Sequence, residues 1–233
     1  GLETLYQSRV LTNQGIHVRT LEARIAEQLG VRHCALFCNA SIGIIVLLKA
    51  LDLEGEIILP SFTFAATVQG ALWNGLRPRF VDIDRGSLLL NPESVVAAVG
   101  KKTSAIFGVN LFGSCCDHQR LTKIADRRGI PLIYDSAQAF GTRYRDRMVG
   151  SLGDAEVLSF HATKLLHTGE GGAIVTNDTS LYNRVCRMRN FGFGGYLNCM
   201  DIGLNGKMSE FSAIVGLSLL KELPRHIEKR KRL

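Results

Sequence analysis

Apolar residues follow two alternating patterns along the chain. Short, nearly continuous apolar runs bounded by Gly, Pro, Asn or Asp predict buried strands, and apolar residues spaced three and four apart predict helices. The predicted strands span residues 34–38, 56–59, 77–82, 104–109, 131–134, 155–160 and 173–176. The predicted helices span residues 19–29, 41–51, 63–73, 92–99, 117–128 and 180–188, with a last helix from residue 207 onward.

The alternation of strands and helices predicts an α/β fold with a mostly parallel central sheet and helices on both faces. In open sheets of this kind, ligands bind beyond the carboxyl ends of the strands. The residues that directly follow each predicted strand are therefore the first candidates for chemistry.

Composition narrows the class of protein. The chain has 233 residues, of which 46% are hydrophobic and 21% charged, as expected for one large globular domain and not for a disordered or fibrous chain. The longest apolar runs, such as residues 42–48, are far shorter than the ~20 residues that span a bilayer. The six cysteines lack CxxC spacing, so we expect reduced thiols within the core of a cytoplasmic protein, and no metal site.

The formal charge of +7 favours an anionic partner, such as a phosphorylated small molecule, nucleic acid or acidic lipid. Part of this charge lies in the basic block at residues 229–232, which we interpret as a solvated helix end. No aromatic residues are interleaved with the block, which argues against a stacking surface for single-stranded nucleic acid.

Four features follow predicted strands. Ala40 and Ser41 open an apolar helix, whose start is either an anion site or an ordinary cap. Phe64 follows the second strand and serves either packing or stacking on a planar ligand. Asp135 ends a buried strand, where a carboxylate needs a partner, such as a cationic nitrogen, or a local cap. Lys164 lies between a strand and a Gly-rich turn, either as a Schiff-base nucleophile or as a surface cation.

Taken together, the four features describe one ligand. A phosphate suits the helix start, an aromatic ring suits the Phe, a ring nitrogen suits the Asp and an aldehyde suits the Lys. Pyridoxal phosphate carries all four groups, so it is the predicted cofactor.

These residues belong to motifs that resemble those of the DegT/StrS-type aminotransferases. The matching stretches are LTNQG at residues 11–15, PSFTF at 60–64, FVDID at 80–84, YDSAQAFG at 134–141, SFHATK at 159–164, GEGGAIVTN at 169–177 and GLNGKMSE at 203–210. The resemblance implies the three-layer, fold-type-I architecture of pyridoxal-phosphate-dependent transferases. Residues 1–233 would form the cofactor-binding large domain, including an N-terminal helical segment.

The family pattern implies a role for each matching residue. Lys164 would bind the cofactor's aldehyde and move a proton between substrate and cofactor. Asp135 would keep the pyridine nitrogen protonated, Gln138 would lie near the 3-hydroxyl and Phe64 would stack on the ring. The residues implied at the phosphate are Ala40, Ser41 and Ser159.

The resemblance also implies an assembly. Asn205 matches a residue that reaches the phosphate of the neighbouring subunit's cofactor, which implies a homodimer. Family members are usually longer and carry a C-terminal small domain that closes over the substrate. That domain would be absent or truncated here, with a linker to it starting at about residue 220, and both chain ends are expected to be cut.

The function implied is transfer of an amino group, with glutamate as the expected donor, to a nucleotide-linked keto sugar. We expect neither a nucleic-acid nor a membrane partner. A related sugar dehydratase would carry His in place of Lys164, and a non-catalytic or regulatory protein on the same fold would not need Lys164 and Asp135. A nicotinamide oxidoreductase is disfavoured because no GxGxxG motif follows the first strand.

Overall fold

The computed structural model describes residues 2–196 and 198–232. The helices are α1 Leu2–Ser8, α2 Ile16–Leu29, α3 Ala40–Ala50, α4 Ala65–Trp73, α5 Pro92–Ala98, α6 His118–Arg128, α7 Thr179–Met188 and α8 Glu210–Lys231. The strands are β1 His33–Phe37, β2 Glu56–Pro60, β3 Arg77–Val81, β4 Thr103–Val109, β5 Leu132–Asp135, β6 Arg143–Tyr144, β7 Arg147–Met148, β8 Ala155–Ser159, β9 Gly172–Thr176, β10 Phe193–Gly195 and β11 Asn198–Cys199.

Seven strands form the central sheet, in the order β1-β9-β8-β5-β4-β2-β3. The pairs between β8 and β3 are parallel, whereas β9 runs antiparallel to both β1 and β8. Strand β9 follows β8 without an intervening helix, and a parallel return would need a longer crossover. The predicted mostly parallel sheet is therefore confirmed, with one reversed strand.

Successive side chains of a strand point in opposite directions, and both faces of the sheet are buried except at the edge strand β3, whose residues are mostly exposed. On β2, Ile57 and Leu59 pack in a cluster with α3, α4 and α7, while Ile58 packs with α5 and α6. Helices α2 and α8 pack together against β1, β8 and β9 in a third cluster. The three-layer α/β architecture is thus confirmed.

Several boundaries differ from the predictions because contacts distant in sequence set them. Helix α2 begins at Ile16, three residues before the predicted start, because the buried Glu210 carboxylate accepts hydrogen bonds from the backbone N–H groups of His17 (2.8 Å) and Val18 (3.1 Å). A Cβ on Gly15 would lie 2.5 Å from that carboxyl carbon, so the residue before the helix must be small. The hairpins β6–β7 and β10–β11 were not predicted, because strands of two or three residues leave little pattern.

The cysteines only partly match the expectation of core thiols. All six are free; Cys34 and Cys116 are buried, but Cys199 is exposed, so its predicted core position is wrong. Cys199 lies on the short strand β11, whose residues are exposed. Within residues 2–196 and 198–232, no helix is long and apolar enough to cross a membrane.

Candidate active site

A cavity of about 290 Å³ opens at the carboxyl ends of β2, β4, β5 and β8, next to the start of α3. The sequence predicted this edge of the sheet as the ligand site. The cavity brings together seven of the predicted site residues: Ala40, Ser41, Phe64, Asp135, Gln138, Ser159 and Lys164.

One end of the cavity is built for an anion. Asn39 caps α3, with its side-chain oxygen accepting a hydrogen bond from the Ile42 N–H at 2.9 Å. Ser41 lies inside the first turn and is not the cap, so its hydroxyl stays available. In the part of the chain that the structure describes, the N–H groups of Ala40 and Ser41 have no acceptor. Free N–H groups and the positive end of the helix dipole favour a phosphate.

A glycine on β9 allows the start of α3 to lie close to the sheet. A Cβ on Gly172, the first residue of β9, would lie 2.5 Å from the Ala40 nitrogen, a distance that real Cβ atoms essentially never show. The last glycine of the GEGG motif is therefore required by the close contact between β9 and the start of α3. On the other side, Ser159 ends β8 and presents its hydroxyl to the same cavity.

Asp135 ends β5 and is 4% exposed. Its carboxylate accepts hydrogen bonds from the Thr67 hydroxyl at 2.7 Å and from the Ala137 N–H at 3.1 Å. Burial raises the pKa of the Asp135 carboxyl above its usual range, and the two hydrogen bonds and the charge of Lys164 oppose this rise. A cationic group in the cavity would favour the ionised carboxylate further.

Lys164 lies in the segment between β8 and β9, half-buried, and lines the same cavity as Asp135. Its backbone N–H donates to the His161 carbonyl at 2.9 Å, which closes a tight turn. The His161 ring supports that turn, with Nδ1 2.9 Å from the Thr163 hydroxyl and Nε2 3.6 Å from the Glu170 carboxylate. The position of the lysine is thus fixed by the loop itself.

Two further predicted residues, Phe64 and Gln138, line the cavity and each has a group left for a ligand. Phe64 is 73% exposed, so its ring has a free face for a planar ligand. Gln138 accepts a hydrogen bond from the Phe112 N–H at 3.2 Å, which leaves its side-chain NH₂ group for a ligand.

Asn205 does not line this cavity. It is exposed and its side-chain oxygen accepts a hydrogen bond from the Lys207 ammonium at 2.6 Å. The structure therefore does not bring Asn205 together with the other predicted site residues, and its expected contact across a dimer stays a prediction.

Sequence reasoning missed the hydroxyl pair that holds Asp135. Thr63 and Thr67 are 2.7 Å apart between their hydroxyl oxygens, and Thr67 is fully buried in the first turn of α4. The available signal was two Thr residues four apart at the start of an otherwise apolar helix, since side chains at that spacing lie on one face.

A second buried carboxylate lies behind the cavity. Glu156 on β8 is fully buried and accepts hydrogen bonds from the Gly150 N–H (2.8 Å), the Leu152 N–H (2.6 Å) and the Ser136 hydroxyl. Ser136 in turn accepts a hydrogen bond from the Asn110 side chain at 2.9 Å. Burial raises the pKa of Glu156 from its ordinary value of 4.5 to about 7.

This pKa predicts a pH-dependent stability. Folding raises the pKa of Glu156, so the protonated carboxyl stabilises the folded state. Its contribution to the free energy of unfolding, roughly 3 kcal/mol in total, is fully present below pH ~4.5 and is lost as the pH rises through about 7. Glu156→Gln keeps an oxygen for the two N–H groups but cannot ionise. Between pH 5 and 8, the free energy of unfolding of the unaltered protein should therefore fall relative to that of the variant. Urea unfolding of both proteins across this range measures the difference, and a constant difference would contradict the assignment.

The donor set suits pyridoxal phosphate. Free helix N–H groups suit its phosphate, the buried Asp135 carboxylate suits its ring nitrogen, the exposed face of Phe64 suits its ring and the Lys164 amine suits its aldehyde. All four features line one cavity, so the residues present fit this cofactor.

Comparison with known proteins agrees with this chemistry. The model of the DegT/DnrJ/EryC1/StrS aminotransferase family matches residues 1–233. The chain is 40% identical, over 222 residues, to the dTDP-4-amino-4,6-dideoxy-D-glucose transaminase of Shigella dysenteriae, covering 95% of this chain and 60% of that protein. It is 31% identical to the GDP-perosamine synthase of Escherichia coli O157:H7, covering 96% of this chain and 62% of that protein.

A solved structure gives the same result for the fold. The crystal structure of DesI in the presence of its TDP-sugar product matches with a TM-score of 0.94 and 45% identity, covering 99% of this chain and 59% of that chain. The chain thus spans about 60% of the length of these relatives. The fold-type-I architecture and the motif resemblance are both confirmed, and the chain belongs to the DegT/DnrJ/EryC1/StrS aminotransferase family.

Proposed function

We propose that the protein containing this chain is a pyridoxal-phosphate-dependent aminotransferase that converts a nucleotide-linked keto sugar into an amino sugar, with glutamate as amino donor. One observation carries the proposal: Lys164, the buried Asp135 and the free N–H groups at the start of α3 line a single cavity. The transaminase and sugar-nucleotide names of the relatives support the substrate class.

The cofactor, when bound, supplies an aldehyde and an electron-withdrawing ring that stabilises negative charge at the reacting carbon. The Lys164 Nζ would hold the aldehyde carbon covalently, and after displacement by the amino substrate it would take the proton from the substrate's α-carbon and return it. The Asp135 carboxylate would keep the ring nitrogen protonated. The N–H groups of Ala40 and Ser41 and the Ser159 hydroxyl would bind the phosphate.

The reaction would proceed in two halves on the same residues. The amino acid would first give its amino group to the holoenzyme and leave as a keto acid, and the keto sugar would then accept that group. Lys164 serves both halves, since each needs one proton moved at the substrate carbon. The proposal includes a homodimer in the cytoplasm, with Asn205 reaching the partner's cofactor; light scattering of the purified protein checks the dimer.

The absorbance spectrum of the purified holoprotein tests this function. The visible band of the bound cofactor should be bleached by glutamate and restored by a nucleotide-linked keto sugar. A sugar dehydratase of this fold would remove water and release no amino sugar, and a regulatory protein would not turn over. A visible band that glutamate leaves unchanged would overturn the proposed amino donor, and absence of any response to a panel of amino acids would overturn the transaminase.

A further inference from the structure

A hydrogen-bond network behind the cavity joins three neighbouring strands of the sheet. Asn110 directly follows β4, Ser136 directly follows β5, and Glu156 lies on β8. The Asn110 side-chain NH₂ group donates to the Ser136 hydroxyl at 2.9 Å, and that hydroxyl donates to the Glu156 carboxylate. The carboxyl ends of the same three strands border the cavity, so the network lies directly behind the candidate site.

The network is complete when Glu156 is ionised. One of its carboxylate oxygens accepts the N–H groups of Gly150 at 2.8 Å and Leu152 at 2.6 Å, and the other accepts the Ser136 hydroxyl. A serine hydroxyl has one hydrogen to donate, and an ionised carboxylate only accepts. Replacing Glu156 by Gln places an NH₂ group against Ser136, so the Ser136 hydrogen loses its acceptor.

The charge at this position is costly for the fold. Glu156 and Ser136 are fully buried, and burial raises the pKa of Glu156 from its ordinary value of 4.5 to about 7. The three hydrogen bonds therefore do not fully offset the free energy of removing the carboxylate from water. Buried groups that break the rules of stability are most often found at functional sites.

Ser136 connects this network to Asp135. The Asp135 carbonyl accepts the Asn110 N–H at 2.9 Å, and the Asp135 carboxylate accepts the Ala137 N–H at 3.1 Å. The residues before and after Ser136 thus meet at that carboxylate, and Ala137 lines the cavity while Ser136 does not. The bond from Ser136 to Glu156 therefore anchors the turn at residues 135–137 from the side opposite to the cavity.

We propose that Glu156 is a positioning residue for Asp135, and that it acts through Ser136 by holding the turn that carries the Asp135 carboxylate. Glu156 does not line the cavity, so its effect on the reaction passes through Asp135. A misplacement of about 1 Å near a reacting group can slow a reaction about 100-fold. The inference rests on the proposed function, because it assigns a support to one of the proposed catalytic groups.

The glutamate half-reaction tests this role at about pH 8.5, where Glu156 is ionised because its pKa is about 7. E156Q should slow the half-reaction at least about tenfold. The double variant D135N/E156Q should stay within about twofold of D135N, because a residue that acts through Asp135 has nothing left to position.

Glu56→Gln is the matched control. Glu56 is also a buried glutamate on a strand, but it is the first residue of β2, at the edge of the sheet opposite to the cavity. Its carboxylate pairs with Arg79 at 3.2 Å. The half-reaction of this variant should stay within about twofold of that of the unaltered protein.

Amide hydrogen exchange supplies a readout that needs neither cofactor nor turnover. The Ala137 N–H should exchange at least about tenfold faster in E156Q and in Ser136→Ala than in the unaltered protein, and at an unchanged rate in Glu56→Gln. Ser136→Ala removes the link but leaves Glu156 its two backbone donors, and it should slow the half-reaction as E156Q does. Melting temperatures check that each variant folds.

A half-reaction of E156Q within about threefold of the unaltered protein would overturn the proposal, as would unchanged exchange of the Ala137 N–H. Equal slowing by E156Q with Asp135 or with Asn at that position would also overturn it, because the effect would then not pass through Asp135. If E156Q does not fold, the rate and the exchange of Ser136→Ala decide in the same way. A visible band that glutamate does not bleach in the unaltered protein would count against the proposed function instead, and the Ala137 exchange would still decide whether Glu156 holds the turn.

Discussion

Replacing Lys164 by Ala should lower the turnover of the holoenzyme by at least about 10⁴-fold. The residue would lose two roles at once, the covalent hold on the cofactor and the movement of the proton at the substrate carbon, and a positioned acid–base group alone contributes about 10²–10⁴-fold. Borohydride reduction followed by peptide mapping should find the cofactor label on Lys164 in the unaltered protein and no label in the variant. No other lysine lies between Lys123 and Lys207, so the labelled peptide is unambiguous.

Lys123→Ala is the matched control for this experiment. Lys123 is exposed on α6, outside the active-site cavity, and should keep full turnover and full labelling at Lys164. A label on another lysine, or turnover of Lys164→Ala within tenfold of the unaltered protein, would show that the assignment of the nucleophile is wrong.

The sequence predicts the position of the cavity because several of its lining residues lie at or just after the ends of strands. Asp135, Ser159 and Lys164 each lie close behind a buried apolar run, and the geometry of a parallel sheet brings such positions together. The residues that hold them were not predictable in this way. Thr67 reaches Asp135 from a separate helix across 68 positions of sequence, and Glu210 caps α2 across more than 190.

The sequence pattern also does not identify which residue caps the start of α3. Asn39, Ala40 and Ser41 all suit the beginning of a helix, and only the backbone geometry identifies Asn39 as the cap. The cations of α8 show the same limit. Residues 229–232 are exposed, as expected for a solvated helix end, and only the packing of Ile227 against Gly141 shows that Arg230 and Lys231 also line a cavity.

Replacing Asp135 by Asn should leave the protein folded and able to bind the cofactor. Asn has the same shape, and its NH₂ group can donate to Thr67, whose hydroxyl can then donate to Thr63 at 2.7 Å. The Ala137 N–H keeps an oxygen acceptor. The phosphate site and Lys164 are unchanged, so borohydride should still fix the cofactor at the lysine.

The glutamate half-reaction of Asp135→Asn should nevertheless slow about 100-fold or more, equivalent to roughly 3 kcal/mol. Burial alone raises the pKa of Asp135, but a cationic ring nitrogen at hydrogen-bond distance would stabilise the carboxylate, and the ion pair would keep that nitrogen protonated. An amide carries no charge, so the ring would withdraw electrons less strongly when the α-proton leaves.

Stopped-flow absorbance after mixing with glutamate measures the rate. Asp154→Asn is the control, because the Asp154 carboxylate accepts the Leu132 N–H at the opposite end of β5. A rate for Asp135→Asn within about threefold of the unaltered protein would mean that Asp135 only caps the strand end and that the ring nitrogen points elsewhere.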